Sequence, residues 1–232
     1  MKALTRHLHQ SVQQKSGLFN LAISGGSTPL KWFDFLAAGV GVETDWKRVR
    51  LFWVDERCVP PDHPDSNYGT ALQRLLNPLR IDTAQVYRIM GELEAGEARS
   101  RYERVLSNEL PQMEGTPHFD LIILGMGTDG HTASVFPGQE KIWESGLPCE
   151  VSQHPETGQR RISLTGRVIN KADEVIFIVT GTDKANVLAE LSAGGAVTDR
   201  LPASWVQPVS RSLYWYMDRD AAARVRSKLQ AR

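Results

Sequence analysis

The chain has 232 residues, with 27 Lys+Arg against 27 Asp+Glu and a formal net charge of +0 at pH 7. That balance excludes the basic surplus on which nucleic-acid and anionic-membrane binding depend, so neither is expected as a partner. At 41% hydrophobic and 23% charged residues, disorder and long coiled coil are excluded as well.

No apolar run approaches the roughly 18 to 20 residues of a bilayer span, and MKALTRHLHQSVQQK lacks the apolar stretch of a signal peptide. A cytoplasmic protein is expected. Cys58 and Cys149 lie far apart and in no CxxC pair, which predicts two free thiols.

Leu4, Leu8 and Val12 recur every four residues and predict an amphipathic first helix. Phe19 to Ser24 reads as a buried strand, broken by Gly25-Gly26. Thr28-Pro29 reads as an N-cap and first-turn pair opening a helix through Trp32, Phe33, Phe35 and Leu36. A second apolar run, Val49 to Val54, ends at Asp55-Glu56-Arg57; a proline-bearing loop and a helix over Asn67 to Leu76 come next. Glu92 to Leu110 reads as a solvent-facing helix with local ion pairs.

Phe119 to Leu124 is the third strand, running into Gly125, Gly127 and Gly130. Ile162 to Leu164 and Val175 to Thr180 are the fourth and fifth, the latter followed by a helix over Asp183 to Leu191. Leu213 to Met217 is the last strand, and Asp218 is expected to cap a terminal helix. No repeat divides the chain. The pattern predicts one α/β domain over 1–232, a mostly parallel, Rossmann-like sheet with helices on both faces. Ligands then bind beyond the carboxyl ends of the strands, where the glycine loops lie.

Four constellations carry candidate chemistry. In Ser24-Gly25-Gly26-Ser27-Thr28-Pro29, side-chain-free residues bring backbone N–H groups to the start of a helix, a setting for a monophosphate, although a capped tight turn has the same composition. The GxxxxGK[ST] spacing of a nucleotide loop is absent, so a small phosphorylated metabolite fits better than ATP or NAD. The loop Gly125 to Ser134 contains GxGxxG, but at the wrong strand and followed directly by His131. Such a histidine reads as an acid or base, with Asp129 orienting the imidazole.

At Asp55-Glu56-Arg57, Arg57 is placed to grip an anion and Asp55 a hydroxyl, while a merely solvated cluster is the alternative. Lys184, in the first turn after Thr180-Gly181-Thr182-Asp183, opposes the helix dipole unless it meets a ligand phosphate. Metal binding is not expected, because the remaining histidines form no HExxH or carboxylate spacing, and no GxSxG elbow supports a serine nucleophile.

In this order, SGGSTP at 24–29, VDER at 54–57, DSNY at 65–68, GMGTDGHTASVFPG at 125–138, RISLT at 161–165, TGTDKA at 180–185 and LPASWV at 201–206 resemble the 6-phosphogluconolactonases, within the larger glucosamine-6-phosphate isomerase/lactonase superfamily. The resemblance covers most of the chain. It implies a cofactor-free and metal-free hydrolase of the δ-lactone of 6-phosphogluconate, in the oxidative pentose phosphate pathway. It implies His131 as general acid/base supported by Asp129. Gly25, Gly26, Ser27, Thr28, Arg57 and Lys184 would hold the 6-phosphate, Asp55 the sugar hydroxyls, and Arg167 is a further candidate for the anion. The substrate is then the sole expected partner, on a monomer or weak homodimer.

The deaminase arm of the superfamily resembles DGHIAFNEPG at the histidine loop, whereas this chain reads DGHTASVFPG, with Val135-Phe136 where an Asn-Glu pair is expected. A sugar-phosphate sensor of the same fold is the reading from another class, and it has no use for an acid/base pair. The first strand begins at Phe19, earlier than the family's pattern, which predicts a missing edge element and an exposed sheet margin.

Overall fold

The computed structural model describes residues 1–39, 44–195 and 198–225. Helix α1 (Lys2–Gln14) buries Leu4, Leu8 and Val12, as its four-residue spacing requires, and leads into the fully buried β1 (Phe19–Ile23). Then come α2 (Ser27–Ala37), β2 (Val49–Trp53), β3 (Asp55–Arg57) and α3 (Asn67–Ala71), the last running through a π turn into α4 (Asn77–Leu79). β4 (Val86–Tyr87), α5 (Ala95–Glu109), a hairpin of β5 (Gln112–Met113) and β6 (Thr116–Pro117), and β7 (Leu121–Leu124) are next. The remainder is α6 (Glu140–Trp143), β8 (Cys149–Gln153), β9 (Arg160–Leu164), α7 (Gly166–Ile169), β10 (Glu174–Val179), α8 (Ala185–Ala193) and β11 (Leu213–Met217).

Six strands form one sheet in the order β4-β2-β1-β7-β10-β11, and every pairing in it is parallel. The chain starts in the middle at β1, winds outward to β4, then returns to β7 on the other side. This is the doubly wound order, and its winding reverses between β1 and β7. Helices flank the sheet, so β1, β2, β7 and β10 are buried and their sequences are continuous apolar runs rather than alternating ones.

The structure corrects two expectations. Asp55-Glu56-Arg57 is not the end of the second strand but a strand of its own, and Ile162 to Leu164 does not join the parallel sheet. Both belong to a separate antiparallel sheet, β3-β9-β8, whose outer strand β8 was not anticipated. Val54 is the corner between the sheets: its N–H donates to Ile23 O at 3.0 Å, and its carbonyl accepts from Leu164 N at 2.8 Å. Periodicity misses this because an antiparallel strand buried on both faces has the same apolar content as a parallel one.

Three helix ends also differ. α2 starts at Ser27 with Gly26 as N-cap, because Gly26 takes φ +99°, and the Thr28 hydroxyl instead pairs with Thr180 Oγ1 at 2.9 Å. α5 starts at Ala95, where the Glu94 carboxylate accepts from the amides of Gly96 (2.8 Å) and Glu97 (3.2 Å). Asp218 accepts from Gly181 N and from Ala221 N, the latter at 2.8 Å, but the element it caps is a short 3₁₀ turn, Ala221–Arg224; the rest of the expected terminal helix lies outside the described residues. No helix among the described residues is long and apolar enough to cross a membrane.

β4 is so short that β2 runs past it at Trp53. The buried Tyr102 hydroxyl of α5 takes the place of the missing strand, donating to Trp53 O at 2.6 Å and accepting from Trp53 N at 3.0 Å. Tyr102→Phe leaves both backbone groups unpaired in the core and should destabilise the fold by about 1–3 kcal/mol, read by urea denaturation. An unchanged midpoint would show that water replaces the hydroxyl.

Candidate active site

The loops leaving β1 and β7 diverge at the switch point and open a cleft of about 180 Å³. β1 is prolonged toward it by Ser24, whose N–H and Oγ both donate to Ile123 O, at 3.1 and 3.0 Å. Gly25 lies against the Asn67 side chain so closely that a Cβ there would sit 1.8 Å from Asn67 Oδ1. Gly26, Ser27 and Thr28 then begin α2, whose first intrahelical bond is Leu30 N to Gly26 O at 3.2 Å, and no acidic residue occupies its first turn. The amides of Ser27 and Thr28 thus face the cleft with the positive end of the helix dipole behind them. Thr28 itself is buried and its hydroxyl is engaged by Thr180, so it contributes chiefly through its backbone.

After β7 the chain folds back in a tight turn, with Gly127 N donating to His131 O at 2.9 Å and Gly130 N to Gly127 O at 3.2 Å. A Cβ on Gly127 would lie 2.1 Å from His131 Nδ1, so the imidazole occupies the space that this glycine leaves free. His131 Nδ1 is 2.6 Å from Asp129 Oδ1, which also accepts from the His131 amide at 3.1 Å. Nδ1 donating to the carboxylate leaves Nε2 as the free acceptor. The ring packs on Phe136 at 4.6 Å, and it borders the cleft, whereas Asp129 stands behind it, lining a separate hollow of about 270 Å³. Partial burial pushes the Asp129 carboxyl up, but the hydrogen bond and charge of His131 outweigh this and hold it below its usual 3.8.

Asp55 and Glu56 point to opposite sides of β3, as neighbours on a strand must. Asp55 lines the cleft, accepting from the buried Ser134 hydroxyl at 2.6 Å. Glu56, 2% exposed, faces away and accepts from the amides of Arg57, Asn67 and Tyr68, each at 2.8 Å, and from Ser66 Oγ at 3.1 Å. Burial raises its pKa, these amides oppose that, and Asp55 adds to the rise. Glu56 is therefore the fastener that closes the 58–66 loop, and Asp55 is the one of the two that faces the cleft.

Arg57 reaches the cleft with one guanidinium N–H on Asp65 O, and Lys184 reaches it half-buried, 3.3 Å from the exposed Asp183 carboxylate. Arg161, on β9, was not among the residues expected at the site. It lines the cleft, nearly buried, with its guanidinium 5.4 Å above the Phe136 ring and 3.4 Å from Ser134 Oγ. Burial lowers its pKa and Asp55 counters this. Both Arg57 and Arg161 keep a buried Nε with no hydrogen-bond partner. Three cations against the single cleft carboxylate of Asp55 make the cleft a site for an anion.

Arg167 corrects the expectation placed on it. Its guanidinium is spent elsewhere, on Thr116 Oγ1 at 2.9 Å and the carbonyls of Gly146 and Gly115, and it does not line the cleft. As the second residue of α7 it points at the β5–β6 hairpin, which strand-level reading did not foresee. Arg161 and Asn67 were overlooked because they enter the cleft from β9 and α3, which β3 draws in by strand pairing and by the Glu56 carboxylate. RISLT and DSNY, the motifs that contain them, were the available signal. Among the described residues no group of three or more His, Cys, Asp and Glu side chains could hold a metal ion.

A doubly wound α/β fold with a cationic cleft and a histidine–carboxylate pair at its switch point defines a protein that handles small phosphorylated metabolites. Residues 1–215 match the family model described as glucosamine-6-phosphate isomerases/6-phosphogluconolactonase, and the chain belongs to that family. It is 44% identical to a 6-phosphogluconolactonase of Treponema pallidum over 84% of this chain and 80% of that protein. A crystal structure of a devB protein superposes with a TM-score of 0.90 at 36% identity, covering 97% of this chain and 94% of that one. The 6-phosphogluconolactonase of Thermotoga maritima superposes with a TM-score of 0.79 at 27% identity, covering 93% of each chain.

Two substitutions test the packing of the site. Gly127→Ala should displace His131 and lower kcat by about 10²–10⁴-fold, the span of a lost general base, while the far-ultraviolet spectrum stays unchanged. Retained activity would mean that the imidazole does not need this position. Asp129, held below its unfolded value, stabilises the fold above that value and loses this contribution as pH falls through the folded one. Asp129→Asn should therefore be less stable than the parent at neutral pH, with the gap closing below 3.8 in denaturation curves. A gap independent of pH would assign the effect to packing instead.

Proposed function

We propose that the chain hydrolyses 6-phosphoglucono-δ-lactone to 6-phosphogluconate in the pentose phosphate pathway, with His131 as the acid/base. The observation that carries this reading is the 2.6 Å contact of His131 Nδ1 with Asp129 Oδ1 beside a cleft lined by Arg57, Arg161 and Lys184. The phosphate sits at the amides of Gly25 to Thr28, with Ser27 Oγ and the cations closing around it. Asp55 accepts from the sugar hydroxyls. The lactone C1 is thereby directed to His131.

His131 Nε2 removes a proton from a water as its oxygen attacks C1, and the carbonyl becomes a tetrahedral oxyanion. The oxyanion re-forms the carbonyl, the C1–O5 bond breaks, and the Nε2 proton passes to O5, which leaves as a hydroxyl. Asp129 keeps the imidazole in the tautomer with Nε2 free and stabilises the cation that forms between the two steps. Where the deaminase arm expects Asn-Glu, Val135 is 0% and Phe136 1% exposed, so no carboxylate stands there to open an amino sugar. Cys58 and Cys149 are both free thiols, which suits a reducing cytoplasm.

Lactone opening followed by pH-stat with and without chelator, beside an ammonia-release assay with glucosamine 6-phosphate, tests the proposal. Hydrolysis above the spontaneous rate, indifferent to EDTA and without ammonia, is expected. His131→Ala should lower kcat about 10²–10⁴-fold while inorganic phosphate still competes with its parent affinity. Ammonia release, or binding without any turnover in the parent chain, would refute the hydrolase.

A further inference from the structure

Asn67 offers the cleft a polar atom that nothing in the protein uses. It is the first residue of α3 and only 4% exposed, yet it lines the cleft. The backbone N–H donates to Glu56 Oε1 at 2.8 Å, and one N–H of Nδ2 donates to Asp55 O at 2.9 Å. The first bond fixes the backbone, and the second sets the sense of the side-chain amide, which leaves Oδ1 as its acceptor end. Oδ1 lies over Gly25, has no hydrogen-bond donor from the protein, and is not among the buried atoms sealed away without a partner. It is an acceptor whose open side is the cleft.

An acceptor with no proton of its own repels phosphate oxygens and selects a donor, which on a sugar means a hydroxyl. Its place beside Gly25 puts that hydroxyl next to the phosphate cradle. In a 6-phosphorylated 1,5-lactone C6 carries the phosphate and O5 is in the ring, so the nearest free hydroxyl is on C4. We infer that Asn67 Oδ1 accepts the hydrogen bond of the C4 hydroxyl and is a specificity-determining residue, held in place by Glu56. The inference rests on the proposed sugar-phosphate reading of the cleft. A site built to bond a hydroxyl discriminates strongly against the analogue that lacks it, because the buried acceptor is then left bare.

The experiment compares the parent chain, Asn67→Ala and Asn67→Ser on the 6-phosphorylated lactone and its 4-deoxy analogue, by kcat/KM. It also compares the dissociation constants of 6-phosphogluconate and 4-deoxy-6-phosphogluconate by calorimetry. The parent should disfavour the 4-deoxy compounds by about 10–100-fold, and the variants should shrink that ratio to below about threefold, whatever their absolute rates. Asn67→Ser keeps a polar residue at the start of α3 and guards against an alanine variant that fails to fold. A ratio unchanged by either substitution, or a parent indifferent to the 4-hydroxyl, would overturn the assignment. If the parent binds both phosphosugar acids without hydrolysing the lactone, the hydrolase reading fails alone, and the binding ratio still decides the role of Asn67.

Discussion

The parallel pairing of β1 with β7, register Leu21↔Leu121 to Ile23↔Ile123, is the constraint on which the rest of the molecule depends. Because β1 lies at the centre and the winding reverses there, the chain leaves these two neighbours in opposite directions, and the space between their carboxyl ends stays open. The Gly25 to Thr28 loop extends from one strand, and the histidine turn from the other. Ser24, with two bonds to Ile123 O, carries the pairing one residue past the end of β1, so the two loops share a common origin. Loss of this register would separate the Gly25 to Thr28 loop from His131.

Close approach then completes the site. Gly25 yields its side-chain space to Asn67 and Gly127 yields its own to His131, so in both places a functional group is positioned by the absence of a neighbouring Cβ. Ala133, on the cleft wall, holds φ at +51°, a left-handed conformation that costs a non-glycine residue about 1–2 kcal/mol. Its neighbours hold it there: Thr132 Oγ1 donates to Gly125 O at 2.9 Å and Ser134 N to Ser163 Oγ at 3.1 Å. The small antiparallel sheet is thus tied to the histidine loop through Ser134, which also reaches Asp55.

Charge in the cleft is divided by orientation. Asp55 and Glu56 are adjacent and chemically alike, but strand alternation turns one to the cleft and the other to four donors of the 57–68 segment. Arg161 and Arg167 sit six residues apart, one on β9 facing the cleft and one on α7 turned to the carbonyls of Gly115 and Gly146. Residue type alone does not separate the members of either pair.

Much of the fold and site was legible because short-range physics writes it locally. Continuous apolar runs such as Leu121–Leu124 mean strands covered on both sides, the Leu4, Leu8, Val12 spacing means one buried helix face, and a glycine-bounded histidine after a strand means close packing at its carboxyl end. Gly25 to Thr28, Asp55, Arg57, His131 and Lys184 meet at one cleft, and Asp129 reaches it through His131, because each lies at or just beyond a strand end on the same side of the molecule. The second sheet, the inward turn of Arg161, the outward turn of Arg167 and the free oxygen of Asn67 were decided only by tertiary structure. Each depends on which distant strand or carbonyl a backbone corner such as Val54 brings within hydrogen-bond reach, and no local pattern of residues encodes that partner.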